Sequence, residues 1–370
     1  MLAYRLPTVK QRFDIKQDYT TDVLEWGSLN VYPQSQHEYM LSSGLTCSAV
    51  KMLDSFLVGN GFEDENFGNQ IINLKGQTAN QLLSYLSAQK SWINSVCLHV
   101  GYNMLGEVAT LNPLPVQWYR LAKRGEHKGK IALWNNWAGE NSWTYENTIS
   151  NIKYLNPFNP ENFDKEVEEA GGFKYYQGQV FILNWEEYNH YSRSTFDSVI
   201  DDVITDAALA NYRKNNVKSA FSASGIIKYN ANVESEEERQ SVLNEIASYQ
   251  GDDEAGNVIV LFPTEGEIES NSPLEFTPIQ PQNIDGLYKN QEDSIQNRII
   301  GAYQQPRSLH TIFDNSGVFN QDQMINSFLW YNGKTKKGRS ELSEVFELLI
   351  PFMNVQEPVN YTIKPLTFGE

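Results

Sequence analysis

Residues 194–222 read STFDSVIDDVITDAALANYRKNNVKSAFS. Apolar side chains fall at Phe196, Val199, Ile200, Val203, Ile204, Ala207 and Ala208, then at Tyr212. This i, i+3, i+4, i+7 spacing predicts one long amphipathic helix. Ser194-Thr195-Phe196-Asp197 has the pattern of a capping box at its start. Asp197, Asp201 and Asp202 load the first turns, and Arg213, Lys214 and Lys218 the last, which suits the helix dipole. Such a helix reaches roughly 43 Å. A compact domain seldom needs that reach, so the helix is expected to link two bodies.

Downstream, 223–280 is expected to be a small acidic module. Gly225–Tyr229, Asn257–Phe262 and Leu274–Ile279 are strand-like, and Glu234–Tyr249 reads as a helix. Twelve acidic residues face two basic ones here, over half of the chain's net charge of −17. A solvated surface accounts for such a run, and so does a docking face for a basic partner. A second helix is expected over 281–305, stopped before Pro306. Its middle, Tyr288–Ser294, is polar on all sides, as in a helix that bridges solvent or lines something wet. Arg307–Asn320 carries the turn signal Asp314-Asn315-Ser316-Gly317. Residues 321–353 read as helical again, interrupted by Gly333 and Gly338, and Pro358–Thr367 as an edge strand.

Upstream, 1–193 is expected to be a packed α+β domain rich in Trp. Leu41–Val58 and Gln81–Val100 read as apolar helices, and Val108–Leu111, Val116–Leu121, Lys130–Trp134 and Gln179–Trp185 as strands.

A hydrophobic fraction of 40% in 370 residues suffices for sizeable cores. An acidic chain does not offer the basic face of a free-standing nucleic-acid binder. Cys47 and Cys97 lie apart, outside any CxxC, and are expected to be free, buried thiols. The start MLAYRLPTVKQRF has no apolar core of a signal peptide, and no run of 18 apolar residues occurs. The chain is expected to be soluble and cytosolic when made, with no membrane contact.

Enzymatic signatures are missing. There is no GxxxxGK[ST], no GxSxG and no HExxH, and the five histidines are scattered. Gly59-Asn60-Gly61 lacks the third glycine and the preceding strand of a dinucleotide fingerprint. Glu186-Glu187 and Asp201-Asp202 are adjacent in sequence, so neither pair converges on one substrate atom. No cofactor and no metal are expected.

The order of parts from residue 190 resembles that of the portal proteins of tailed bacteriophages. Phe221-Ser222-Ala223-Ser224-Gly225-Ile226-Ile227 resembles their passage from stem helix into clip. Asn257–Phe262 and Leu274–Ile279 resemble the clip strands, and Arg298-Ile299-Ile300-Gly301-Ala302-Tyr303-Gln304-Gln305-Pro306 resembles the end of the second stem helix. Tyr331-Asn332 with Arg339 and Leu342 resembles the tunnel helix, and Gly106–Leu121 more loosely the wing strands. The likeness covers about half the chain well.

The resemblance implies an α+β portal fold: wing 1–193, first stem helix 194–222, clip 223–280, second stem helix 281–305, tunnel loop 306–320, and tunnel helix with a return to the wing over 321–370. A crown is expected to be absent or minimal, because the sequence stops at Glu370. The resemblance further implies a non-enzymatic homo-oligomeric ring of about twelve copies, a dodecamer, in which each side chain is repeated as a ring of charge. Double-stranded DNA would pass through it during packaging and ejection, and acidic walls would repel phosphate rather than hold it.

By the same resemblance Lys289, Glu292, Asp293 and Gln296 would face the channel, and Arg307, His310, Asp314 and Asn315 would touch DNA at its narrowest point. Lys334, Lys336, Lys337 and Arg339 form the densest basic cluster, read either as a solvated helix end or as a phosphate-facing or inter-subunit face. Glu234, Glu236, Glu237, Glu238, Asp252, Asp253 and Glu254 would dock the large terminase and later the head–tail adaptor. The major capsid protein would surround the ring at a capsid vertex of the virion, after assembly in the host cytoplasm. The rival readings are another virion ring or connector protein, and a metal-dependent nuclease with scattered carboxylates.

Overall fold

The computed structural model describes residues 22–137, 151–188, 190–218, 225–229, 237, 240–241, 259–261, 274–278, 284–310, 321–355 and 360–368. The chain divides into two compact units, Met1–Val203 with Asn297–Glu370, and Ile204–Gln296.

In the first unit, α1 (Tyr32–Ser42) and α2 (Gly44–Val58) replace the single helix expected over Leu41–Val58. Ser43 separates them because its side chain caps α2, accepting the Thr46 N–H. α3 (Ala79–Ile93) opens on a true capping box between Thr78 and Gln81. It does not continue to Val100. Asn94 takes the left-handed conformation (φ 52°) and ends it, and Ser95–Tyr102 becomes the strand β1.

β1 lies inside a six-stranded mixed sheet with β2 (Val108–Leu114), β3 (Tyr119–Leu121), β4 (Ile131–Leu133), β5 (Lys153–Pro157) and β6 (Gln179–Asn184), in the order β2-β1-β6-β5-β4-β3. β1 is antiparallel to both neighbours, with Val100 opposite Leu111 and Gln179. Val96, Leu98, Val100 and Tyr102 of β1 enter the main core and alternate with Ser95, Cys97, His99 and Gly101, of which Ser95 and Cys97 are also buried. α4 (Phe163–Glu169) lies between β5 and β6 in sequence.

One core joins Leu82, Leu83 and Leu86 of α3, Val96, Leu98 and Val100 of β1, and Leu342, Val345, Phe346 and Leu349 of the C-terminal helix. Each such side chain contributes about 1.5–3 kcal/mol through burial. Arg120 on β3 is fully buried, with no carboxylate partner among the described residues. Its guanidinium donates to the carbonyls of Asn30, Tyr119 and Gln117, and its charge lies over the Trp26 and Trp137 rings. Burial pulls its pKa down to about 10.

α5 (Ile200–Lys218) and α6 (Ile284–Ala302) each contribute to both units. α5 starts later than Ser194, after a 3-10 turn at Asp197–Val199. The expected capping box does not form, because its groups are engaged by α1. Ser194 Oγ donates to Gln36, and the Tyr32 hydroxyl donates to Asp197 Oδ1 at 2.8 Å.

The second unit holds a three-stranded sheet, β8-β7-β9, of β7 (Gly225–Tyr229), β8 (Ile259–Leu261) and β9 (Leu274–Pro278). β8 runs parallel to β7 and β9 antiparallel to it. Most of the helix expected over Glu234–Tyr249 lies outside the described residues.

Back in the first unit, α7 (Gln321–Lys334) and α8 (Lys336–Leu349) meet at Thr335. The break falls there, and Gly333 and Gly338 sit inside the helices. Pro358–Thr367 does not form a strand among the described residues; it contributes one bridge, between Ile363 and Phe62.

Candidate functional site

The features that set this molecule apart from an ordinary α+β domain are the two helices α5 and α6 and the structure that receives the end of α6. Within the first unit Asp202 of α5 pairs with Arg298 of α6 at 3.0 Å. Within the second unit Arg213 of α5 pairs with Glu292 of α6. Val203, Ile299 and Ile300 are buried.

The end of α6 is locked in place. Gln304 adopts a left-handed conformation (φ 51°), and the Gln305 N–H returns to the Ile300 carbonyl at 3.1 Å. The Gln305 side chain is buried. Its amide NH2 donates to the Ala49 carbonyl of α2 at 2.8 Å and to the Tyr331 hydroxyl of α7 at 3.0 Å. Its oxygen lies 2.6 Å from His310 Nε2. An amide oxygen only accepts, so Nε2 carries the proton. Burial lowers the His310 pKa from its ordinary 6.5. One side chain thus ties α2, α6, α7 and the base of the following segment together.

A second buried knot lies on the far side of Tyr331. Arg339 Nη1 donates to the Phe56 carbonyl, Asn332 Oδ1 and Thr335 Oγ1, and Nη2 donates to the Asn332 carbonyl at 2.9 Å. Burial lowers the Arg339 pKa. Asn332 Nδ2 in turn donates to the Leu366 carbonyl at 2.7 Å.

The structure disperses the sequence-derived candidates. Among the channel-facing set, Glu292 is committed to Arg213, Asp293 is exposed, Gln296 is half-buried, and the Lys289 side chain lies outside the described residues. Of the loop set, Arg307 is exposed and His310 is half-buried against Gln305, while Asp314 and Asn315 lie outside the described residues. The basic cluster splits: Lys334, Lys336 and Lys337 are exposed, whereas Arg339 points inward and belongs to the knot. Of the acidic docking set only Glu237 is described, and it is exposed; Glu234, Glu236, Glu238, Asp252, Asp253 and Glu254 are not. Both cysteines are free, but only Cys97 is buried; Cys47 is half-buried. Gln305 carries no sequence signal of its own beyond its place directly before Pro306.

No family model matches the chain, and no curated protein matches it. Solved structures do. One chain of the virion of the native gene transfer agent particle matches with a TM-score of 0.51 and 13% identity, over 90% of this chain and 83% of that one. In fold, the chain is similar to a virion protein. At that identity the likeness is one of fold, and it takes in nearly all of the chain. Weaker matches are the neck of the empty gene transfer agent particle, computed with C6 symmetry (TM-score 0.45, 13% identity, 80% of this chain and 75% of that one), and an HK97 family phage portal protein from Corynebacterium diphtheriae (TM-score 0.46, 10% identity, 80% and 85%).

Among the described residues no group of three or more His, Cys, Asp or Glu is placed to hold a metal, and no helix is long and apolar enough to cross a membrane.

Proposed function

We propose that the chain is a portal-type subunit of a tailed phage or phage-like particle. It forms a homo-oligomeric ring, and double-stranded DNA passes through that ring during packaging and ejection. The observation that carries the reading is the fold likeness to a virion chain over 90% of the sequence. The sequence order supports it: a mixed domain, a long helix, a small sheet, a returning helix, and a further helix pair.

In this reading α5 and α6 are the stem, β7–β9 belong to the clip, and α7 is the tunnel helix. The ring sits at a capsid vertex among major capsid proteins. Its acidic clip docks the large terminase first and the head–tail adaptor later. The chain itself hydrolyses nothing; it gives the motor a fixed seat. Asp293 and Gln296 face the channel, and Arg307 and His310 stand at the base of the segment nearest DNA. Contacts to passing DNA are to phosphate, independent of sequence and weakened by salt. The Gln305 and Arg339 knots suit a part that must transmit force without unfolding, since each fixes several helices at one point.

The test is negative-stain electron microscopy of the purified chain, with mass measured by light scattering. Closed rings with a central hole and a mass of about twelve subunits are the expected result. A chain that stays monomeric at all concentrations and cuts DNA with added magnesium would overturn the reading.

A further inference from the structure

Within the first unit, a cavity of about 230 Å³ opens between the α3–β1 corner, the end of β6 and the α7–α8 junction. Its walls carry Lys90, Lys334, Lys337, Glu186 and Glu341, a surplus of one positive charge on a chain of net −17. Lys90 is almost completely buried, with its ammonium 3.5 Å from the centre of the Trp185 ring and 2.8 Å from Glu341 Oε2. The other Glu341 oxygen is 3.5 Å from Lys337. One carboxylate therefore serves two ammonium groups, and Lys334 adds a third cation at the mouth. The site is short of negative charge, and at roughly 30 Å³ per water its space is that of about eight waters, room for one side-chain head.

We propose that this cavity receives an acidic side chain from a second copy of the chain. The inference rests on the ring reading above and names one of its contacts. Charge complementarity selects the occupant: the chain carries 46 acidic against 29 basic residues, so a neighbouring copy presents carboxylates in excess. An incoming carboxylate bridges Lys334 and Lys337 at the mouth. Lys90 stays behind it as a fixed charge, its stem packed and its head held by Trp185 and Glu341.

The experiment compares the wild-type full chain with Lys334→Glu/Lys337→Glu and with the neutral Lys334→Gln/Lys337→Gln, each checked for an unchanged thermal melt. Assembly is followed by light scattering against protein concentration, and carbodiimide coupling maps lysine–carboxylate contacts between isotopically mixed copies. The expected result is a coupled peptide joining Lys334 or Lys337 to an acidic residue of another copy. The concentration for half-assembly should rise at least tenfold in the reversal variant and less in the neutral one. Rings that form equally well in all three, without that coupled peptide, overturn the contact and leave the ring reading standing. A wild-type chain that never assembles overturns both.

Discussion

Arg339 Nη1 lies 3.0 Å from Asn332 Oδ1, across the break between α7 and α8. Asn332 directly follows Tyr331, which accepts from Gln305. Two polar knots therefore share one helix, and neither contains an acidic residue. The guanidinium is solvated by oxygens of carbonyl, amide and hydroxyl groups alone, and both of its Nη groups donate. Replacing Arg339 by Ala should leave the Asn332 and Phe56 oxygens unmet and lower stability by about 3 kcal/mol or more. Arg339→Lys should recover only part, since an ammonium cannot span the same acceptors. Urea unfolding followed by circular dichroism checks this. An unchanged midpoint in Arg339→Ala would remove the knot from the account of the fold.

Lys90 and Glu341 should respond unequally to substitution. Desolvation lowers the Lys90 pKa, and Glu341 is the main opposing influence. Glu341→Gln strands a buried ammonium and should cost about 3–5 kcal/mol, whereas Lys90→Met removes the charge, keeps the stem and should be nearly neutral. The double variant should resemble Lys90→Met. If Glu341→Gln proves the milder change, the cavity is wetter than its geometry indicates.

Two glycines of the α7–α8 pair look alike in sequence and should behave oppositely. At Gly333 an added Cβ meets nothing within 4 Å, so Gly333→Ala should stabilise by about 1 kcal/mol through helix propensity. At Gly338 an added Cβ falls 2.5 Å from Leu57 Cδ2, a buried side chain of α2. Overpacking there costs about 1–3 kcal/mol and offsets or exceeds the propensity gain. Thermal melts of the two variants should shift in opposite directions, or Gly338→Ala should show no gain.

These positions also show what the sequence discloses. The apolar period of 194–222 announced a long helix, and α5 occupies most of it. The start was misjudged because Ser194 and Asp197 have distant partners, Gln36 and Tyr32, more than 150 residues away in sequence. Local patterns cannot anticipate such partners. Gln81–Val100 reads as one helix because the apolar residues of α3 run without a gap into β1; Asn94 and the alternation from Val96 to Tyr102 are the local signs of the switch. The basic cluster at 334–339 is contiguous in sequence yet splits in space. Helical periodicity puts Arg339 on the buried face with Leu342 and Phe346, three and seven residues on, and turns it toward α2, while Lys337, two residues back, faces solvent. The likeness of Tyr331, Asn332, Arg339 and Leu342 to a tunnel helix picked out four residues that are all buried, and three of them are bound into the two knots.

His310 gives the joint a pH dependence whose sign is fixed. Burial holds its folded-state pKa below the ordinary 6.5, so the unfolded chain binds the proton more readily. The contribution to stability is present above 6.5 and is lost as pH falls through the lower folded value. His37 is shifted in the same direction, chiefly by burial. Urea midpoints measured between pH 7.5 and 5 should decline, and His310→Gln and His37→Gln should each flatten part of that decline. A slope untouched by either substitution would assign the acid sensitivity to carboxylates instead.

The α5–α6 pair carries both charge and apolar contact, and their magnitudes differ. Arg298 is more than half exposed, so its pair with Asp202 is worth about 0.2–1 kcal/mol and weakens with salt. Ile299 beside it is fully buried, and Ile299→Ala should cost about 2–5 kcal/mol through lost transfer energy and a residual cavity. Arg298→Gln should therefore melt within a few degrees of wild type at 0.5 M salt, while Ile299→Ala melts well below it at any salt. The reverse ranking would mean that charge, not packing, holds the end of α6 in the first unit.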